Sequence, residues 1–537
     1  MFLINKKMMI IDWLIFKNNS LMIKMILFND WMSMIFISTI FIISSMVILY
    51  SIEYMSEDLN IKRFMLLIMI FVTSMILMII SPNMITILLG WDGLGLSSYC
   101  LVIYYQNMKS YNAGMITILM NRIGDICILL SIALFLKLSS WNFIIKFDKL
   151  NFLMGIMVII ASITKSAQIP FSSWLPLAMA APTPISSLVH SSTLVTAGIY
   201  LLIRFSNLMS NDMFKLMMFI SCFTMFFSGL SANFEFDLKK IIALSTLSQL
   251  GIMLFILSFN LKILSFYHLI SHAMFKSLLF LCSGIMIHNS FNNQDIRFIS
   301  FNNMYMPFIN SVFIMSSLTL MGMPFLTGFY SKDFIIEMFN LMKNNIMLYI
   351  MMYLSMMFTV SYSMRLMLFI SIKLKFMNNY FKIYPNNNMT NSTFILIFMA
   401  LFYGAISNWM IFNSLNYIFL PILMKMLIFY LMLFSILLGI LIYMMNFMNF
   451  NKKFMKMFMY FNMMFFLPLI IKKNKINLYK LNFNYIKIKD SGWLEFFIYK
   501  NLMSMMIKMN NKIVMDNINI FLLLMMMMFT MMIMLII

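Results

Sequence analysis

The chain has 537 residues, 63% of them hydrophobic and 10% charged, with a mean hydropathy of +0.92. Soluble folds are nearer half apolar and a quarter charged, so a water-soluble globular protein and a disordered chain are both excluded. The net charge of +21 sits mostly between the apolar runs, at Lys6 and Lys7, Lys373 to Lys382 and Lys452 to Lys489, where loop cations set topology and meet anionic lipid, not in a basic domain suited to nucleic acid.

In chain order, the first 30 residues cannot span a bilayer, because Lys6, Lys7, Asp12 and Lys17 interrupt the apolar run. They read as an interfacial or loop segment with no cleavable leader. Apolar runs long enough for a bilayer-crossing helix then predict spans near 32–50, 64–80, 83–105, 113–136, 152–178, 183–203, 213–231, 241–258, 262–288, 308–325, 327–341, 345–371, 391–409, 420–447, 454–470 and 520–537. The fold class expected is an all-α polytopic membrane protein of about 14–16 transmembrane helices. From Trp493 to Asn519, apolar residues such as Leu494, Phe497, Ile498, Leu502, Met505 and Met506 recur at helical spacing. This predicts an amphipathic helix along a surface ahead of a terminal anchor; a polar loop with a short helix is the plainer alternative. The four cysteines are widely spaced in apolar runs and read as small hydrophobes.

Asp92, Asp125 and Asp333, with Arg122, Lys165, Lys276, Lys332 and Arg365, lie within or at the edges of apolar runs. An ionisable group at the bilayer centre costs roughly 2.5 kcal/mol or more. For Arg365 and Asp125 a charge snorkelling from a helix end competes with a functional role, but so many charges in consecutive segments indicate a polar path. Arg122 and Asp125 are spaced i, i+3, close enough to pair on one helix face. Pro170 removes a backbone hydrogen bond and predicts a helix break near Lys165; such a break is tolerated only beside a cavity or inside protein. His190 is flanked by Ser186, Ser187, Ser191, Ser192 and Thr193. It reads either as a satisfied core imidazole or as a proton relay. His268, His272 and Lys276 follow at four-residue steps along one helix stripe. Two such histidines can ligate a metal, but the other two, His190 and His288, are too far along the chain to complete a site by sequence; a proton-conducting stripe needs only titratable groups within reach. Gly322, Pro324 and Gly328 ahead of Lys332 repeat the device of a lysine beside a helix interruption, as in transporters built from two repeats.

Gly90 to Gly95, Asn121 to Asp125, Lys165 to Gln168, Ala181 to Ser186, His190 to Thr193, Ser245 to Gly251, His268 to Lys276 and Gly328 to Asp333 together resemble the antiporter-like subunit 5 family of mitochondrial NADH:ubiquinone oxidoreductase, respiratory complex I. The likeness runs from about residue 28 to the end and is densest from 83 to 340. Any single motif is modest; eight in order are specific. The 69 methionines, a sign of A/T-rich codons, agree with an organelle-encoded chain.

The resemblance implies a multi-pass subunit of the inner mitochondrial membrane that translocates protons as electrons pass from NADH to ubiquinone, in a translocase whose redox chemistry lies elsewhere. NADH, FMN, iron–sulfur clusters and ubiquinone are expected on other subunits, with no cofactor or metal in this chain. It implies two inverted antiporter-like repeats with broken helices, at 83–230 and 231–371. These are flanked by N-terminal spans at 1–82, C-terminal spans and basic loops at 372–491, and a lateral helix with its anchor at 492–537. By position Asp92 matches the carboxylate that partners the broken-helix lysine, here Lys165; the family often has Glu there, one methylene longer. Lys276 matches the central lysine, Lys332 the second broken-helix lysine with Asp333 beside it, and His190, His268 and His272 the proton relay. Lys239, next to Lys240, fits a further relay position, and Arg122 and Asp125 are supporting. The partners implied are other membrane-arm subunits, above all the neighbouring antiporter-like one, and membrane lipids. The family carries one or more helices ahead of the segment matching Met1 to Asp30; they are absent from this sequence. Two other readings are kept: a subunit of a multisubunit cation/proton antiporter, and a purely structural arm subunit.

Overall fold

The computed structural model describes residues 7–17, 22–138, 140–143, 151–290, 292–299, 306–342, 345–371, 387–412, 418–445, 460–461, 464–465, 480, 482–489, 492–493 and 500–515. The expected span at 520–537 and nearly all of that at 454–470 lie outside the described residues.

The N-terminal segment differs from expectation. It is an antiparallel hairpin of β1 (Met9–Lys17) and β2 (Met22–Asn29), paired from Met9 opposite Asn29 to Lys17 opposite Met22. The charges that rule out a membrane helix leave β-favouring runs, Ile10-Ile11 and Trp13 to Phe16 in the first strand and Ile23 to Phe28 in the second.

The helices are α1 (Trp31–Tyr54), α2 (Ile61–Ile80), α3 (Met84–Val102), α4 (Met108–Phe135), α5 (Phe152–Lys165) and α6 (Thr183–Leu208). They continue with α7 (Asn211–Ala232), α8 (Leu238–Ser258), α9 (Lys262–Asn289), α10 (Pro307–Met321), α11 (Thr327–Leu341), α12 (Ile346–Ser371), α13 (Asn387–Ile411) and α14 (Ile422–Met445). Eleven helices are long and apolar enough to cross a membrane among the described residues, and α5 and α10 are shorter apolar helices. A separate unit, residues 466–537, contains α15 (Asn501–Met515), on which Leu502, Met505 and Met506 are exposed.

Burial is graded across the bundle. The most apolar stretch of α9 is wholly buried and that of α8 94% buried, against 22% for α13 and 17% for α14. The most apolar stretch of α6 is also wholly buried, so α6, α8 and α9 form the centre; α9 holds the His268 stripe and packs on α1, α6, α8, α10, α11 and α13. No backbone group there can reach water, so all of it must pair within the protein. Two interruptions relax that rule. Helix α5 stops at Lys165, where Ala167 (φ 54°) and Pro170 turn the chain away. Helix α10 ends on Gly322 (φ 89°), whose N–H donates to the Leu318 carbonyl, and the chain restarts as α11 at Thr327. Glycine at Gly322 avoids the cost a Cβ carries at positive φ.

Candidate functional site

The first cluster surrounds the end of α5. Glycines close it on both sides. A Cβ at Gly124 would lie 2.3 Å from Thr164 Oγ1, and one at Gly198 2.4 Å from the Ser162 carbonyl oxygen. So α4 and α6 approach α5 at backbone distance beside Lys165. Lys165 is fully buried; its Nζ donates to the Trp91 carbonyl at 3.1 Å and lies 4.9 Å from the Trp91 ring centroid. The expected contact with Asp92 is not made. Lys165 has no direct ion pair among the described residues, and Asp92 Oδ1 is buried without a protein partner. The short aspartate leaves the lysine to the backbone carbonyl one residue earlier. Asp92 and Asp125 act on the Lys165 charge only from beyond contact distance. Asp125 itself pairs with Arg122 at 3.2 Å, and Arg122 is half-exposed.

His190 lies on a feature no sequence pattern announced. Residues Ser186–Thr193 form a π-helix inside α6. The flanking hydroxyls bond the widened turn: Thr193 Oγ1 donates to the Leu188 carbonyl at 2.7 Å, and Ser191 Oγ to that of Ser187. Single π-turns inside α-helices recur at functional sites. Both ring nitrogens of His190 are buried without protein partners, and its ring meets the edge of Trp174 at 6.1 Å.

The second cluster runs along α9. His268 is bridged, with Nδ1 3.0 Å from Ser331 Oγ on α11 and Nε2 3.2 Å from Gln249 Oε1 on α8. The His268 and His272 rings stand 6.4 Å apart, and His272 has no partner at either nitrogen. One turn on, Lys276 Nζ donates to Ser245 Oγ on α8. Lys332 Nζ donates to Thr359 Oγ1 at 2.6 Å. Lys332 and Asp333 line a small pocket otherwise walled mainly by methionine and aliphatic side chains of α12 and α14. Lys239 and Lys240 have different environments. Lys240 is part-exposed and pairs with Asp237, whereas Lys239 is buried and donates to the Ala181 carbonyl at 3.1 Å, two residues before α6.

The residues predicted from sequence fall into two groups and a further pair. Asp92, Arg122, Asp125 and Lys165 gather at α3–α5, and His268, His272, Lys276, Lys332 and Asp333 at α8–α12. His190 and Lys239 lie at α6 and its approach. Gln249, Ser245, Ser331 and Thr359 were missed, although the first two belong to a polar turn inside the apolar run of α8. Arg365 neither snorkels nor joins the path. It is buried and donates to the carbonyls of Asn233 and Glu235, at 2.5 and 2.8 Å, just past α7. Also missed was Asp30 at the N-cap of α1, which Arg204 grips at 2.6 Å with each of two guanidinium nitrogens. No cluster of three or more metal-ligating side chains occurs among the described residues.

A family profile described as NADH:quinone oxidoreductase/Mrp antiporter, TM, matches residues 81–359. Profiles for the chain 5 N-terminus of NADH-ubiquinone oxidoreductase (complex I) and the NADH dehydrogenase subunit 5 C-terminus match residues 13–65 and 362–537. The chain is 47% identical to NADH-ubiquinone oxidoreductase chain 5 of Anopheles quadrimaculatus, over all of this chain and 95% of the relative. The chain belongs to the NADH-ubiquinone oxidoreductase chain 5 family. A second chain 5 relative, from Locusta migratoria, is also 47% identical over 93% of this chain and 89% of its own. Among solved structures, the Mrp complex from Dietzia sp. superposes with TM-score 0.70 at 20% identity, covering 82% of this chain and 51% of that one. An archaeal membrane-bound sulfane sulfur reductase gives 0.65 at 19% identity, covering 72% and 82%. These distant structures share the fold of this chain 5 family member.

Proposed function

We propose that this chain carries protons across the inner mitochondrial membrane as a multi-pass membrane-arm subunit of respiratory complex I, that Asp92, Lys165, His190, His268, His272, Lys276, Lys332 and Asp333 transfer them, and that Arg122, Asp125 and Lys239 support the path. The observation that carries the assignment of residues is the α9 stripe. Two imidazoles and an ammonium stand at four-residue steps in a helix whose most apolar stretch is wholly buried; Gln249 and Ser331 link His268, and Ser245 links Lys276, to the neighbouring helices. Burying three titratable groups is expensive unless they are paired or line a polar path; here the contacts of His268 and Lys276 are neutral hydroxyl and amide groups, which do not trap a charge.

Lys165 is the input side of this reading. A carbonyl and an indole face stabilise its ammonium, while two carboxylates act from beyond contact distance. A neighbouring subunit that draws Asp92 or Asp125 aside weakens the hold on that proton, which then moves toward Lys276. A potential of about 100 mV opposes each proton by about 2.3 kcal/mol, which the change in field at Lys165 has to supply. Two inverted repeats, 83–230 and 231–371, fit the placement of Lys165 just before one helix interruption and Lys332 just after another. Redox groups are assigned to other subunits of the complex, and the 492–537 tail to bracing the adjacent antiporter-like subunit. The decisive test is Lys276→Met, with protons pumped per electron measured in assembled complex. A reduced ratio at normal assembly is expected; an unchanged ratio refutes the carrier role, and lost assembly with normal pumping in the residue favours a structural one.

A further inference from the structure

The C-terminal end of α9 holds polar groups that the carrier chain does not use. His288 is only half-buried there. Its ring stands 5.6 Å from that of Tyr54, which is half-buried at the end of α1. Tyr54 stacks on Tyr50 at 5.5 Å and an interplanar angle of 23°. Tyr50 is fully buried, and its hydroxyl lies 3.4 Å from Thr183 Oγ1, also fully buried. Thr183 opens α6, and its carbonyl accepts from Ser186 Oγ at 2.8 Å, the first residue of the π-helix that carries His190.

We infer that His288, Tyr54, Tyr50 and Thr183 form a proton port between one membrane face and the π-helix of α6. The inference rests on the reading of His190 as a carrier.

Three features distinguish a port from ordinary aromatic packing. Exposure falls in order along the series, from a half-buried imidazole through a half-buried tyrosine to a buried tyrosine and threonine. Phenylalanine would stack equally well at both tyrosine positions, and a phenol taken into an apolar core costs free energy unless its hydroxyl is used. The third feature is Gly284 on α9. A Cβ there would lie 2.4 Å from Tyr50 Oη and 2.8 Å from Thr183 Oγ1, so the missing side chain leaves room for the two hydroxyls to face each other. Each group can take a proton on one side and release its own on the other. The imidazole does so between its two nitrogens, and each hydroxyl accepts at oxygen while giving up its hydrogen, across a water where contact is not direct. No charge is left behind.

The test uses assembled complex in proteoliposomes, reading protons pumped per electron together with NADH:ubiquinone turnover. His288→Ala is expected to lose the share of pumping that passes through this subunit, and added imidazole to restore it in proportion to its concentration. Tyr50→Phe keeps the ring packing and is expected to show the same loss without rescue. Gly284→Ala, which retains every polar group but crowds the hydroxyl pair, is expected to lower the ratio as well. A wild-type ratio in both His288→Ala and Tyr50→Phe overturns the port, as does a loss in His288→Ala that imidazole leaves unchanged. His190→Gln in the same preparation separates the two ideas. If it pumps normally, the carrier reading itself fails; if it loses pumping while His288→Ala does not, only the port fails.

Discussion

At Lys165 the nearest polar group is a backbone carbonyl rather than a carboxylate, and the two aspartates near it differ in their own pairing. Asp125 is held by Arg122, whereas Asp92 Oδ1 is buried without a hydrogen-bond partner among the described residues. Asp92→Asn is therefore expected to cut protons pumped per electron more than Asp125→Asn, measured in assembled complex; the opposite order would make Asp125 the working partner. The carbonyl of Trp91 was not legible in the sequence because every residue has one. Asp30 and Arg204 were illegible for another reason: 174 residues separate them, and neither lies in a run that looked out of place. Burial by itself would raise the Asp30 carboxyl, but the Arg204 guanidinium and the Ser33 cap override it and hold it below its ordinary value. A carboxyl lowered in the fold contributes stability above its unfolded pKa and loses it as pH falls through the folded one. Arg204→Ala is expected to cost about 3 kcal/mol, as loss of one partner of a buried pair does. It should also flatten the acid limb of thermal stability below about pH 4, as followed by melting of the solubilised complex.

Among the elements, the breaks were easiest to read. Pro170 and the Gly322–Pro324 pair are residues that cannot continue a helix, and α5 and α10 end beside them. Span positions were readable from apolar runs, because lipid demands them of each helix separately. The hairpin was not, since its charged residues spoke against a span without saying what replaced it. The π-helix was not, because hydroxyl-rich turns carry no mark of a five-residue hydrogen-bond step. Close helix contacts were half-visible as glycines whose neighbours only the fold supplies. Gly198→Val places methyl groups against the Ser162 carbonyl. It is expected to cost about 1–3 kcal/mol or more through overpacking, read as a lower yield of assembled complex on native gels. Serine at the same position should be milder.

Over the whole molecule, polarity runs opposite to the usual order. His190, Lys239, His268, His272 and Lys276 lie on the buried α6, α8 and α9, and α13 and α14 turn apolar side chains outward. That arrangement was legible in outline, since the charges inside apolar runs were visible as a group, though not which helices would be central. Leu437 on α14 is 58% exposed. Leu437→Arg is expected to raise the cost of insertion by roughly 2.5 kcal/mol or more, seen as reduced membrane integration in a translocation assay. A Leu437→Phe control should insert normally.

The wide turn in α6 has a consequence for motion. An α-helix advances about 100° per residue, and a π-helix accommodates one residue more per turn than its neighbours. The surplus residue can be handed along the strand of peptide groups like a dislocation through a crystal. Each side chain it passes changes its heading by about 100° and its height by about 1.5 Å, while both ends of the helix stay where they are packed. His190 sits inside the widened turn. A single step of such a defect would turn the imidazole from one set of neighbours to another without rigid-body movement of α6.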